Sequence, residues 1–127
     1  MPEVRFPVDM VLGIPVVATP EEIDITNAPE LRIALLAASA DGPRTIVVDM
    51  TRTLFCDSAG LHALVGAHRR ANAEGGAVVL AVSGHAVQRM LELTGLGTVL
   101  PNFTSLAEAL AQAAGATGPA QQASGAA

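Results

Sequence analysis

The stretch that decides the fold reads Val47-Val48-Asp49-Met50-Thr51-Arg52-Thr53-Leu54-Phe55-Cys56-Asp57-Ser58-Ala59-Gly60-Leu61. It starts within a β-branched, apolar run, Thr45 to Met50, of the kind that suits a strand covered on both faces. A short loop follows, and Asp57-Ser58-Ala59-Gly60 then opens a helix predicted over Ser58 to Asn72. Leu61, Leu64, Val65 and His68 fall on one face of that helix, and Gly75-Gly76 ends it. In open α/β sheets the functional crevice lies beyond the carboxyl ends of the strands, which is where Asp57 and Ser58 stand.

Towards the C-terminus, Val78 to Val82 reads as the next strand. Ser83 can cap a third helix, with Val87, Met90, Leu91 and Leu93 supplying its core face. Gly95 and Gly97 break that helix, and Thr98 to Leu100 is expected to be a short strand. Ser105 with Glu108 forms a capping box for a last helix that turns Leu106, Ala109, Leu110 and Ala113 inward. Towards the N-terminus, Thr26 or Asn27 can cap the first helix; Asn27 with Glu30 resembles a capping box, and Pro29 suits a first helical turn. Leu31, Leu35, Leu36 and Ala38 form the apolar stripe of this helix, and Asp41-Gly42-Pro43 stops it. Before it, Val8 to Leu12 and Ile14 to Thr19 flank Gly13 and read as an edge hairpin, since Pro15 cannot donate to a ladder.

The order β-β-α-β-α-β-α-β-α implies parallel strands joined by right-handed crossovers from residue 45 onward. The expected fold is α/β: a sandwich with a mixed, mostly parallel sheet, an edge hairpin and about four helices. It is expected to form one domain over residues 1–114. Residues 115–127, small and polar, read as a disordered Ala/Gly-rich tail.

Composition removes several function classes. The 127 residues carry 12 acidic and 7 basic side chains, a net charge of −5. Every basic residue is arginine, so phosphate-loop, Schiff-base and general-base lysines are all excluded. An acidic chain with scattered arginines and only three aromatic rings offers neither a basic footprint nor stacking platforms for nucleic acid. A single cysteine allows no internal disulfide and fits a reducing compartment. The mean hydropathy of +0.44 owes much to alanine, and no apolar run approaches the roughly 20 residues of a membrane span. The N-terminus lacks the pattern of a signal peptide, so a cytoplasmic protein is expected.

Three readings compete at Ser58: a plain N-cap, a hydrolase nucleophile and a phospho-acceptor. A nucleophile elbow needs glycine two residues before the serine, and here that residue is Cys56. His62 lies one turn along, and neither it nor His68 or His85 is placed as a base by the sequence. A phosphate would add about −1.5 to −2 charges at a helix end that tolerates anions, beside an Asp57 that repels it. Cys56, His62, His68 and His85 lack zinc-ligand spacing, so no metal and no cofactor is expected. Cys56 reads as a small buried filler, with a redox-active thiol as its alternative. Arg69-Arg70 reads as a solvated helix end. Glu21, Glu22 and Asp24 read as a solvated turn or as a partner-facing edge.

The chain resembles the STAS-domain family, in particular the bacterial anti-sigma factor antagonists, over roughly residues 14–112. The family shows an aliphatic strand ending in Asp, then a loop, then Asp-Ser-Ser/Thr-Gly-Leu; here these are Val48-Asp49 and Asp57-Ser58-Ala59-Gly60-Leu61. Met90-Leu91-Glu92-Leu93-Thr94-Gly95-Leu96 resembles the end of the family's third helix. Glu22-Ile23-Asp24 and Asn27-Ala28-Pro29-Glu30-Leu31-Arg32 resemble its Gly-Glu-(Leu/Ile)-Asp and Ala-Pro-x-Leu-Arg segments.

The resemblance implies partner switching without catalysis by this chain. The unphosphorylated antagonist binds an anti-sigma factor, a serine kinase, and so frees a sigma factor for transcription. Phosphorylation of the serine releases it, and a PP2C-type phosphatase resets it. By position Ser58 is the acceptor, and Glu22, Asp24, Asp57, Ala59, Gly60 and Leu61 belong with it to the partner-binding region. Departures are Ala59 for the usual second hydroxyl, Glu21 (preceded by Pro20) where Gly is usual, and Cys56 for a larger apolar residue. A STAS subunit of a membrane transport complex, not phosphorylated, is the alternative.

Overall fold

The computed structural model describes residues 5–40, 42 and 45–115. The elements follow in the order β1 (Val8–Val11), β2 (Ile14–Ala18), β3 (Glu22–Ile23), α1 (Ala28–Ser39), β4 (Thr45–Asp49), β5 (Phe55–Cys56), α2 (Ser58–Ala73), β6 (Ala77–Ala81), α3 (His85–Thr94), a 3-10 turn (Leu96–Thr98), β7 (Asn102–Phe103) and α4 (Leu106–Gly115). The expected tail lies outside the described residues apart from Gly115, the last residue of α4.

The main sheet has the order β1-β2-β4-β6-β7. Only β1 and β2 are antiparallel; β2, β4, β6 and β7 run parallel. The α/β sandwich with an edge hairpin is therefore the fold. The apolar run of β4 is explained by its two covered faces. Ile46 and Val48 pack with Leu31 and Leu35 of α1 and Leu61 and Leu64 of α2. Val47 faces the other way, with Val16, Val79, Ala109 and Ala113, under α4. Small residues on α4 let it lie close to the sheet, so alanine supplies hydropathy here through packing.

The hairpin turns at Leu12-Gly13, where both residues have positive φ (+54° and +80°), as in a two-residue type I′ turn. Leucine is a poor choice there, because its Cβ crowds the following carbonyl by about 1–2 kcal/mol. Its side chain is also 87% exposed. Leu12→Asn is expected to raise stability by about 1 kcal/mol, read as a melting temperature higher by a few degrees; an unchanged or lower Tm would contradict this.

Several local expectations give way to tertiary contacts. Asn27 occupies the N-cap of α1 but makes no capping bond. Its Oδ1 accepts from Asp24 N–H and its Nδ2 donates to Glu22 O, tying the preceding loop together. Ser83 does not cap α3: its hydroxyl donates to Thr51 O, and Gly84 stands at the cap. Leu93 points to solvent. Thr98 closes a 3-10 turn in place of a strand, with the strand at Asn102–Phe103. Gly95, left-handed at φ +75°, lets the chain turn back there. Ser105 caps α4 as expected by accepting from Glu108 N–H, while the Glu108 carboxylate accepts from the Thr104 and Ser105 hydroxyls.

His68 joins the core of α2 as expected, 5% exposed. Val78 N–H donates to its Nδ1 at 3.1 Å, which leaves Nε2 as the protonated nitrogen of the neutral ring; the Asn72 amide, 3.0 Å away, is its acceptor when turned to present Oδ1. Burial lowers its pKa below the ordinary histidine value. The unfolded chain therefore takes up this proton first. The stability it carries is complete above about pH 6.5 and is lost as pH falls towards the lowered folded value. His68→Leu should lower Tm at pH 7, because Val78 N–H loses its acceptor, yet its Tm should change less than wild type between about pH 7 and 5. Thermal melts with parallel pH profiles would contradict this.

Candidate functional site

Two segments meet at the start of α2, and backbone bonds hold them in register. Thr53, fully buried, donates through its hydroxyl to Pro20 O at 2.7 Å and lies 2.6 Å from the Thr19 hydroxyl. Leu54 N–H and Phe55 N–H both donate to Glu21 O. Then β3 and β5 pair in parallel, Glu22 opposite Phe55 and Ile23 opposite Cys56, as a two-stranded sheet of their own. Asp57 N–H donates to Ile23 O and closes the ladder. This ribbon carries the 24–27 loop to the N-terminus of α2. The departures at Pro20 and Glu21 thus use their carbonyls, which any residue supplies.

Gly60 lets the ribbon sit directly on the first turn of α2. A Cβ there would stand 2.6 Å from Cys56 Sγ and 2.7 Å from Ile23 Cγ2. Cys56 is the small buried filler expected. Burial, and then the neighbouring Asp57 charge, push its thiol up to about 12, which keeps it protonated and unreactive.

The plain N-cap reading of Ser58 is overturned by the geometry. Asp57 is the cap: its Oδ1 accepts from Ala59 N–H at 2.9 Å and from Gly60 N–H at 3.2 Å. Ser58 is the first helical residue and is exposed. Its hydroxyl has no hydrogen-bond partner among the described residues. Among the described residues no histidine is hydrogen-bonded to it.

The ribbon of β3 and β5 and the segments that flank it carry acidic and apolar side chains. Glu21 and Glu22 are exposed, and Asp24 is half-buried. Hydrogen bonds from the Thr26 hydroxyl and backbone N–H hold the Asp24 carboxyl below the usual carboxylate range, so it stays charged. Ile25, Leu54 and Phe55 are 75%, 62% and 48% exposed. These three were not singled out by sequence reasoning, because nothing in their local pattern separates an exposed leucine from a core one. Gly60 and Leu61 are buried and shape this surface from beneath. On its other side Ser58 opens onto a groove of about 580 Å³. Ser58, His62 and Arg69 line its α2 wall, with Thr94 and Leu96 opposite. Among the described residues no group of three or more His, Cys, Asp or Glu converges as a metal site, and no helix is long and apolar enough to cross a membrane.

Known proteins are similar to this chain in sequence and fold. The anti-sigma-B factor antagonist of Staphylococcus aureus is 31% identical over 75 residues, covering 59% of this chain and 69% of that one. An anti-sigma factor antagonist from Mycobacterium paratuberculosis superposes with a TM-score of 0.78 at 32% identity, over 85% of this chain and 92% of that one. The anti-sigma factor antagonist SpoIIAA in its unphosphorylated form superposes with a TM-score of 0.69 at 26% identity, over 83% and 92%. SpoIIAA of Bacillus is also known in a phosphorylated form. The STAS domain pattern itself matches residues 6–109, from just before β1 to the first turn of α4. With fold, helix start and relatives in agreement, this chain belongs to the STAS-domain family.

Proposed function

We propose that this protein is an anti-sigma factor antagonist whose binding is switched by phosphorylation of Ser58. One observation carries the reading: Asp57 takes the capping role, so the Ser58 hydroxyl is exposed and uncommitted at the helix start. The relatives named for the same role support it. The unphosphorylated chain binds a cytoplasmic anti-sigma factor with serine kinase activity through Ser58, Ala59, Glu22, Asp24 and the exposed Ile25, Leu54 and Phe55. Gly60 and Leu61 hold that surface in shape, and Asp57 holds the helix start. The kinase transfers a phosphoryl group to the Ser58 oxygen, the antagonist leaves, and a PP2C-type phosphatase resets it.

The physics favours a switch at this point. A phosphate at the first turn of α2 is compatible with the folded helix, since anions there are stabilised by about 0.3–1 kcal/mol. Its added charge of about −1.5 to −2 nevertheless changes the surface met by a partner. Like charges brought together in an interface cost several kcal/mol. The fold is kept while the complex is lost.

Incubation with the cognate anti-sigma kinase and ATP should add about 80 Da, one phosphoryl group, to the intact mass. Ser58→Ala should abolish the gain. A gain that survives Ser58→Ala, or no gain in wild type, would sink the phospho-acceptor reading and turn attention to a STAS subunit of a transport complex.

A further inference from the structure

We propose that His62 is the in-chain counter-ion of a phosphate on Ser58. The inference rests on Ser58 as acceptor and goes beyond it by naming a second residue. Ser58 and His62 are four residues apart on α2, the spacing that puts Cβ atoms about 5–6 Å apart on one helical face. Both are exposed, and both line the same groove. An anion placed four residues before a cation is the favourable order on a helix. No hydrogen bond occupies the His62 ring among the described residues.

Among the residues lining this groove the pairing falls to His62. On α2 the next charged group on the groove wall is Arg69, two turns further on, beyond reach of Ser58. The opposite wall presents Thr94 and Leu96, neither of them charged. Glu92 of α3 lines the neighbouring groove by the 3-10 turn. On the N-terminal side stands Asp57, whose carboxylate is bonded to Ala59 and Gly60 N–H and repels a phosphate. Imidazole and phosphomonoester groups both titrate between about pH 5 and 8. The His62 ring donates to a phosphate oxygen and offsets part of its charge.

The test uses the whole chain with phosphoserine installed at position 58 during synthesis, and follows the phosphorus NMR shift against pH. Attraction between unit charges at about 5–6 Å in water amounts to about half a pH unit. The phosphate midpoint in the wild-type background should therefore lie about half a unit below that of His62→Gln. His85→Gln, at the start of α3 and outside this groove, should leave the midpoint unchanged. Equal midpoints in wild type and His62→Gln would overturn the proposal, as would an equal shift caused by His85→Gln. A kinase that leaves Ser58 unmodified would remove the switch yet leave this comparison intact, because the phosphate is already in place.

Discussion

Gly60→Ala is expected to destabilise the fold by about 1–3 kcal/mol, the usual range for overpacking. Two effects oppose each other. Alanine is the better helix former by about 1 kcal/mol, which alone would stabilise α2. Against that, the new methyl stands within 2.7 Å of both Cys56 Sγ and Ile23 Cγ2. The Ile23 methyl sits on a β-branched side chain that is fully buried in a paired strand, so it cannot swing aside. The ribbon of β3 and β5, with the 24–27 loop that follows it, has to lift off α2. Binding of the anti-sigma factor should weaken along with stability. Cys56→Ala in the same chain removes one of the two clashes and should recover part of the loss; contacting residues couple in this way in a double-mutant cycle. Denaturation of the four proteins decides it, and a Gly60→Ala chain as stable as wild type would contradict the packing.

The second large effect belongs to Ser58. Ser58→Asp should weaken anti-sigma factor binding at least about tenfold, or roughly 1.4 kcal/mol, with little change in Tm. A carboxylate at the first turn of α2 is, if anything, favourable to the helix. Any loss of binding therefore reports on the interface and not on unfolding. Ser58→Ala should bind within about threefold of wild type, because the hydroxyl has no partner whose loss must be made good. Calorimetric titration of both variants checks this; Ser58→Asp binding as tightly as wild type would contradict it.

What was legible in the sequence was what repeats. The β-branched run of β4 and the apolar stripes of α2 and α4 carry their period over many residues, so strands, helices and their order could be read. The ribbon could not. Glu22–Ile23 and Phe55–Cys56 are two residues each, too short for a period, and they exist as strands only because the fold brings them together. The caps show a second limit. Asp57 and Ser58 are both good N-cap residues, and only the tertiary pairing of Asp57 N–H with Ile23 O settles which one takes the role. Asn27 and Ser83 have cap-like contexts, yet each spends its side chain on a loop brought near by the fold. The strand expected at Thr98–Leu100 failed for a related reason. A β-branched pair beside a leucine suits a strand, but Gly95 had already turned the chain and Thr98 bonds back to its carbonyl. The serine was legible because a motif marks it. Its lack of a bonding partner was not, and that is the property on which the proposed switch depends.

The most direct measurement is the affinity of the cognate anti-sigma factor for this chain before and after phosphorylation at Ser58, by calorimetric titration at one pH and salt concentration. Partner switching requires the phosphorylated chain to bind at least about tenfold more weakly, with an unchanged melting temperature. Equal affinity of the two forms would contradict it.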